Sequence, residues 1–297
     1  MRVVKELSNQ NRIVYERTCG MVSKVQKEAA YVIKFVLFGM EKCVVNNRAI
    51  SIFPDSFTVL NVETDHYSVI DSATPVDSLS LYLDANFVTD LNKTFFLDQE
   101  QLLDGVELKS TPHFIETLYP LTVDLKCNIN HLKHQLLEGI DNEALFNEYL
   151  HHCLWGYYKV SHQEITEKFQ GLDFLKAKTK KEVFRRLLLA KEFLNSNSDK
   201  EVILEDVANY CCLSVNHLLR TFKSAYGVSP HQYLIQLRLN RAKLLLKTTG
   251  YPLSEILCLV GFENASSFVR LFKANVGTTP LKYRKALVQH YFFASYK

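Results

Sequence analysis

The chain of 297 residues is 47% hydrophobic and 23% charged, with a formal net charge of +3 and seven cysteines. These are the proportions of an ordinary globular protein, and the length allows two domains, each able to bury a core. No apolar run reaches the roughly 18 residues that span a bilayer, and the start, MRVVKELSNQNRIVYERTCG, lacks the apolar stretch of a signal peptide, so a cytoplasmic location and no membrane partner are expected.

Residues 1–110 read as strands. YVIKFVLF (31–38), KCVV (42–45), RAISIF (48–53), FTVL (57–60), YSVI (67–70) and LSLYL (79–83) are short, rich in β-branched and aromatic residues, and separated by turn signals. Asn46-Asn47 suits a tight hairpin and Pro54-Asp55 a second turn. Regular short strands imply a sandwich or small barrel. Apolar residues such as Phe35, Ile52, Phe57 and Tyr82 either fill its core or line a small-molecule pocket. An open metal site needs at least three protein ligands, and this stretch holds one histidine, His66, so no metal, no cofactor and no enzymatic activity are expected.

Residues 111–179 read as a helical bridge. HFIETLYPL (113–121), NINHLKHQLLEGI (128–140) and NEALFNEYLHHCLWGYYKV (142–160) space apolar residues three and four apart. His131 and His134 with Glu138, or His151 and His152 with Glu148, lack the HExxH arrangement of a catalytic zinc helix. Leu145, Tyr149, Leu154, Trp155 and Tyr158 form an aromatic-rich face, either core or a dimer interface. The charged passage LKAKTKKEVFRR (175–186) is the expected interdomain linker. The cysteines, odd in number and without a CxxC pair, indicate neither a disulfide framework nor a zinc site.

Residues 180–297 differ in charge and texture. They hold 18 Lys and Arg against 8 Asp and Glu, a net +10, which leaves −7 for residues 1–179. A basic half suggests a polyanion partner, usually nucleic acid, with a merely solvated basic face as the alternative. An amphipathic helix over 184–194 is followed by a short helix over 203–212 and a longer one capped by Ser214, the order of a helix-turn-helix. Ser229-Pro230 reads as its stop, and RLNRAKLLLKTTG (238–250) as a long basic helix closed by Gly250. The pattern then repeats. Arg220, Phe222, Lys223, Gly227, Pro230 and Tyr233 recur fifty positions on as Arg270, Phe272, Lys273, Gly277, Pro280 and Tyr283, with Gly261 where the second turn needs positive φ.

The second helix of such a unit enters the major groove of double-stranded DNA. With Leu218 and Phe222 facing the core, Val215, Asn216, Leu219, Arg220 and Lys223 are left for DNA. In the second unit Phe268 and Phe272 take the core positions, leaving Ala265, Ser266, Ser267, Val269, Arg270 and Lys273. Asn pairs bidentately with adenine and Arg with guanine, while Lys neutralises phosphate.

Residues 183–285 resemble the DNA-binding domain of the AraC/XylS family of bacterial transcription regulators. The resemblance is most specific in LSEILCLVGFENASSFVRLFKANVGTTPLKYR, with two departures: Cys212 stands where the first turn usually has glycine, and Leu257 where the second unit usually has alanine. Less specifically, VVNNRAISIFPDSFTVLN (44–61) resembles part of the cupin-like β-barrel sensor found ahead of that domain in many members. The resemblance implies an α+β chain: a cupin-like barrel sensor over 1–110, a bridge able to dimerise over 111–179, and a two-unit DNA-binding domain over 180–297. It implies a transcription regulator, more often activator than repressor, with DNA, RNA polymerase, a small-molecule effector and a second copy as partners. A ligand-independent regulator governed by a protein partner or by expression level, and a non-classical cupin enzyme fused to a DNA-binding module, are the alternatives.

Overall fold

In the computed structural model, which describes residues 1–26, 29–97, 101, 112–172 and 176–286, the run YVIKFVLF is a strand buried on both faces. Tyr31, Ile33 and Phe35 join one core and Val32 and Val36 another, as the two-residue period of a strand dictates. The chain divides into two units, Met1–Gln170 and Gly171–Lys297.

The first unit is built on an eight-stranded antiparallel sheet of β1 (Arg2–Glu6), β2 (Arg12–Gln26), β3 (Tyr31–Phe38), β4 (Glu41–Val45), β5 (Arg48–Ile52), β6 (Ser56–Leu60), β7 (His66–Leu83) and β8 (Leu118–Pro120). Its order is β1-β2-β7-β3-β6-β8, with β4 paired to β7 and β5 to β4. The two expected strands at 67–70 and 79–83 are one long strand. Residues 66–69 of β7 pair with β4 and residues 77–83 with β3, while β2 follows both halves. Register shifts at Thr18/Gly20 and Val36/Phe38 bend the ladders between these halves. Asn46 and Asn47, at φ 49° and 64°, make the β4–β5 hairpin. Among the described residues the pairings leave β1, β5 and β8 as edges. The sheet is therefore open where a closed barrel was expected.

HFIETLYPL is extended rather than helical. Asn61 holds its backbone from the side, accepting from Phe114 N at 2.7 Å and donating to Phe114 O at 3.0 Å, and residues 118–120 then pair with β6. A proline at 120 also removes a donor that a helix would need. Helix α1 (Ala85–Phe96), which no expectation covered, follows β7. Helices α2 (Val123–Leu137) and α3 (Glu143–Gln170) turn Leu125, Ile129, Leu132, Phe146, Leu150 and Tyr157 to the core beside Ile33 and Phe35. Gly156 lets them approach: a Cβ there would lie 2.5 Å from the Leu125 side chain. In the aromatic stripe of α3, Leu154 and Tyr158 are buried in the core and Leu145, Tyr149 and Trp155 are half-buried, with Trp155 4.8 Å and Tyr158 5.1 Å from Phe95 between ring centres.

The second unit begins earlier than a flexible linker would allow. Residues 177–186, expected to connect domains, form the first half of α4 (Ala177–Ser196), while Leu175 lies outside the described residues. Lysine and glutamate are good helix formers, and Glu182 pairs with Arg186 at 2.9 Å and Arg185 at 3.4 Å along one face. Then come α5 (Leu204–Tyr210), α6 (Val215–Tyr226), α7 (Pro230–Thr248), α8 (Leu253–Val260) and α9 (Ala265–Val276). Ser229-Pro230 starts α7 instead of ending a helix: the Ser229 hydroxyl accepts from Gln232 N and the Gln232 side chain accepts from Ser229 N. At the other end Thr249, in extended conformation, closes α7, so Gly250 is not its cap.

The lysine inside YVIKFVLF explains itself by its partner. Lys34, with 5% of its side chain exposed, lies 2.6 Å from Glu41 Oε1 and also donates to Ser68 Oγ. Burial alone would lower the ammonium pKa, but Glu41 outweighs it and holds the pKa above its ordinary value. Breaking such a pair leaves an uncompensated buried charge. Glu41→Gln is therefore expected to destabilise the sheet unit by about 3 to 5 kcal/mol. The Lys34→Met/Glu41→Leu double variant should recover most of that loss. Urea denaturation followed by Trp155 fluorescence checks both.

Candidate nucleic-acid interface

The two repeats use the same devices in the same places. Ser214 caps α6 by accepting from His217 N, and Asn264 caps α9 by accepting from Ser267 N at 2.9 Å. Each helix then ends at a left-handed glycine, Gly227 at φ 75° and Gly277 at φ 82°. Leu218 and Phe222 are fully buried on α6, as are Phe268 and Phe272 on α9. That fixes which faces remain outside.

On α6 the outward positions are Asn216, Arg220 and Lys223, exposed, and Val215 and Leu219, half-buried. On α9 Ala265, Ser266, Arg270 and Lys273 are exposed and Ser267 and Val269 half-buried. The residues assigned to DNA from sequence thus share one accessible face on each helix. His217 flanks that face on α6. Burial first, then the neighbouring Arg220 and Arg186 charges, hold its imidazole below the ordinary pKa, so it is neutral at pH 7. The cationic character of this face therefore comes from Arg220 and Lys223.

The turns differ in the expected way. Cys212 adopts φ 53°, a left-handed conformation that costs a side-chain-bearing residue about 1 kcal/mol, and Arg186 Nη1 donates to its carbonyl at 2.7 Å. Gly261 adopts φ 77° without that cost. Sequence reasoning missed Arg238 and Arg241 of α7, whose partners are backbone carbonyls about forty residues away. It also missed the full length of α7. The signal for its start was present in the Ser-Pro-x-Gln spacing of a capping box. At 1.5 Å per residue the nineteen residues of α7 span about 28 Å, where the thirteen residues read from sequence gave about 20 Å.

The four apolar residues proposed from sequence for a ligand do not converge. Phe35 and Phe57 lie in the core that carries α2 and α3, their rings 5.3 Å apart, whereas Ile52 and Tyr82 belong to the second core. Tyr82 alone of the four borders a small polar cleft with Glu16, Lys34, Glu41, Ser68, Ser78 and Ser80. His66, by contrast, is buried with Nδ1 3.1 Å from the Thr64 carbonyl, and His134 and His152 each lie beside one glutamate, Glu138 and Glu148. Among the described residues no three His, Cys, Asp or Glu side chains group as metal ligands would, and no helix is long and apolar enough to cross a membrane.

Residues 207–286 match the model of a family described as a helix-turn-helix domain. Over 97 residues the chain is 35% identical to the bifunctional transcriptional activator/DNA repair enzyme AdaA of Bacillus subtilis, which covers 33% of this chain and 46% of that protein. Over 167 residues it is 28% identical to the lactose operon transcription activator of Staphylococcus xylosus, covering 55% of this chain and 56% of the other. The chain spans about half the length of these curated relatives. Among solved structures, the C-terminal domain of the two-component response regulator yesN from Fusobacterium nucleatum is 33% identical, with a TM-score of 0.31, over 32% of this chain and 94% of that one.

The long polar side chains of α6 and the short ones of α9 imply a division of labour. Arg220→Ala is expected to cost about 1 to 3 kcal/mol of DNA affinity and to relax preference at one base pair. Arg270→Ala should weaken binding evenly across sequences, as loss of a phosphate contact does. Binding-site selection with each variant reads the difference, and identical profiles would refute it.

Proposed function

We propose that the chain is a sequence-specific transcription regulator of the AraC/XylS family through this domain, acting as an activator. The observation that carries the reading is the pair of helices capped at equivalent positions, each with a phenylalanine-anchored inner face and an arginine and a lysine outside. In this reading residues 180–297 bind double-stranded DNA through Val215, Asn216, Leu219, Arg220 and Lys223 and through Ala265, Ser266, Ser267, Arg270 and Lys273. Helix α7 alone covers most of the roughly 34 Å between successive major grooves, which supports one chain reading two of them.

Residues 1–110 serve as the sensor and 111–179 as the bridge through which two copies pair, with RNA polymerase as the partner of the bound activator. The pairing of the β4–β5 hairpin with the first half of β7, while β3 pairs with the second half, supports a cupin-like but open arrangement of the sheet. A small polar effector would meet Lys34, Ser78, Ser80 and Tyr82 at the cleft between the halves of β7. The cleft's interior, about 20 Å³, holds little more than one water-sized molecule, which favours a second reading in which a protein partner or the expression level sets activity.

Binding should be strongly salt-dependent, because each phosphate contact releases counterion: four contacts lower the affinity about a hundredfold between 50 and 200 mM salt. Mobility-shift titrations of the full chain at the two salt concentrations test this, and no binding at low salt would rule out the DNA-binding reading. Hydroxyl-radical footprints should show two protected clusters about one helical turn apart and different in sequence. For the sensor, thermal-shift screening against sugars, aromatics and amino acids separates the readings: a ligand that raises the midpoint supports sensing, and none across the panel supports the ligand-independent regulator.

A further inference from the structure

The turn of the second repeat rests on a piece of the first. A Cβ at Gly261 would meet the Ser198 carbonyl oxygen at 2.6 Å and the Asp199 carbonyl carbon at 2.9 Å, so the segment joining α4 to α5 lies directly against this turn. Arg238, midway along α7, ties the two together. Its Nε donates to Ser198 O at 2.7 Å, its Nη2 donates to Lys200 O, and its guanidinium lies 5.7 Å from the centre of the Phe262 ring, the next residue of the same turn. Three residues on, the buried Arg241 donates to Asn195 O at 3.1 Å and to Ser198 Oγ.

These contacts come in addition to what holds each repeat together. The second repeat closes its own core with Ile256, Leu257, Val260, Phe268 and Phe272 against α7, and the first buries Leu218 and Phe222. Arg238 is half-exposed, joins the first core nowhere and touches the second only at its margin, through Phe262. A planar guanidinium with donors in a fixed fork reaches two carbonyls at set angles, as a single ammonium does not.

We propose that Arg238 is a positioning residue that fixes the distance and phase between the two recognition helices, and so sets the spacing between the two base clusters that one chain reads. The proposal rests on the two-groove reading above. One inserted base pair moves a cluster about 3.4 Å along the axis and rotates it by about a tenth of a turn. A rigid pair of helices loses its fit under that change. A loosened pair follows it.

The test is a titration of the full chain on its selected site and on versions with one or two base pairs inserted between the clusters. The wild-type chain should lose about tenfold or more per inserted pair, comparable with a mismatched base pair. Arg238→Ala should bind the native spacing more weakly and lose only about threefold or less on insertion, with Arg238→Lys lying between. A general weakening lowers every spacing by one factor, and an unchanged insertion penalty in Arg238→Ala would overturn the proposal. Should Arg238→Ala fail to fold by circular dichroism, Arg238→Lys carries the same comparison. Spin labels at Lys223→Cys and Lys273→Cys, with Cys19, Cys127, Cys212 and Cys258 changed to serine, give a readout free of DNA. The distance distribution between them should be narrow in the parent and broad in the Arg238 variants, and equal widths would again overturn the proposal. A wild-type chain that protects one cluster, or shows no insertion penalty, defeats the two-groove reading instead, and the label distances still decide the role of Arg238.

Discussion

Each recognition helix is pinned by one phenylalanine meeting one tyrosine. Phe222 and Tyr233 stand 5.6 Å apart at 76°, and Phe272 and Tyr283 stand 5.6 Å apart at 72°. Edge-on aromatic pairs are favourable beyond the area they bury, and these join α6 to α7 and α9 to the helical turn at 280–286. The geometry is possible because a left-handed glycine reverses the chain after each recognition helix and a proline restarts it three residues later. Once the phenylalanine is inside, the rotation of the helix is set, and the arginine two residues before it and the lysine one residue after it have only the outer face to occupy. The recognition surface is a by-product of how the helix is anchored.

This explains why the second unit was so much more legible in the sequence than the first. Caps, left-handed glycines and i, i+4 phenylalanines act within a few residues of themselves, and their repetition at a fixed offset leaves little room for accident. What escaped notice there was long-range: the carbonyls that Arg238 and Arg241 engage lie on another helix end, and no local pattern announces a backbone acceptor. Where a local signal was misread, at Ser229-Pro230, the same dipeptide serves as both a stop and a start, and only the glutamine at 232 tells them apart.

The sheet unit was harder because its elements are defined by their neighbours. β1 and β2 carry lysine, glutamate and arginine among their apolar residues and read poorly as strands, yet β2 is fifteen residues long because it pairs along nearly the whole of β7. HFIETLYPL has apolar spacing that suits a helix, and the side chain of Asn61 claims its backbone instead. The aromatic stripe of α3 was legible as a stripe but not in its destination, since Phe95 and Phe114, which receive part of it, come from α1, which no expectation covered, and from a segment whose spacing suggested a helix. Lys34 is the sharpest case. Its place in an apolar run makes sense only once the next strand brings Glu41 beside it.

The repeat also has a symmetry that a paired assembly lacks. Two copies of a chain related by a two-fold axis look the same from either end of the DNA they hold. Two units joined head to tail in one chain, with Asn216 and His217 on the first and Ser266 and Ser267 at the corresponding positions of the second, are related by a step along the helix and have no such axis. Under the two-groove reading, a single chain seated on DNA has a leading end and a trailing end. The order of the two clusters would then be an orientation signal, deciding which side of the protein is turned toward whatever lies downstream.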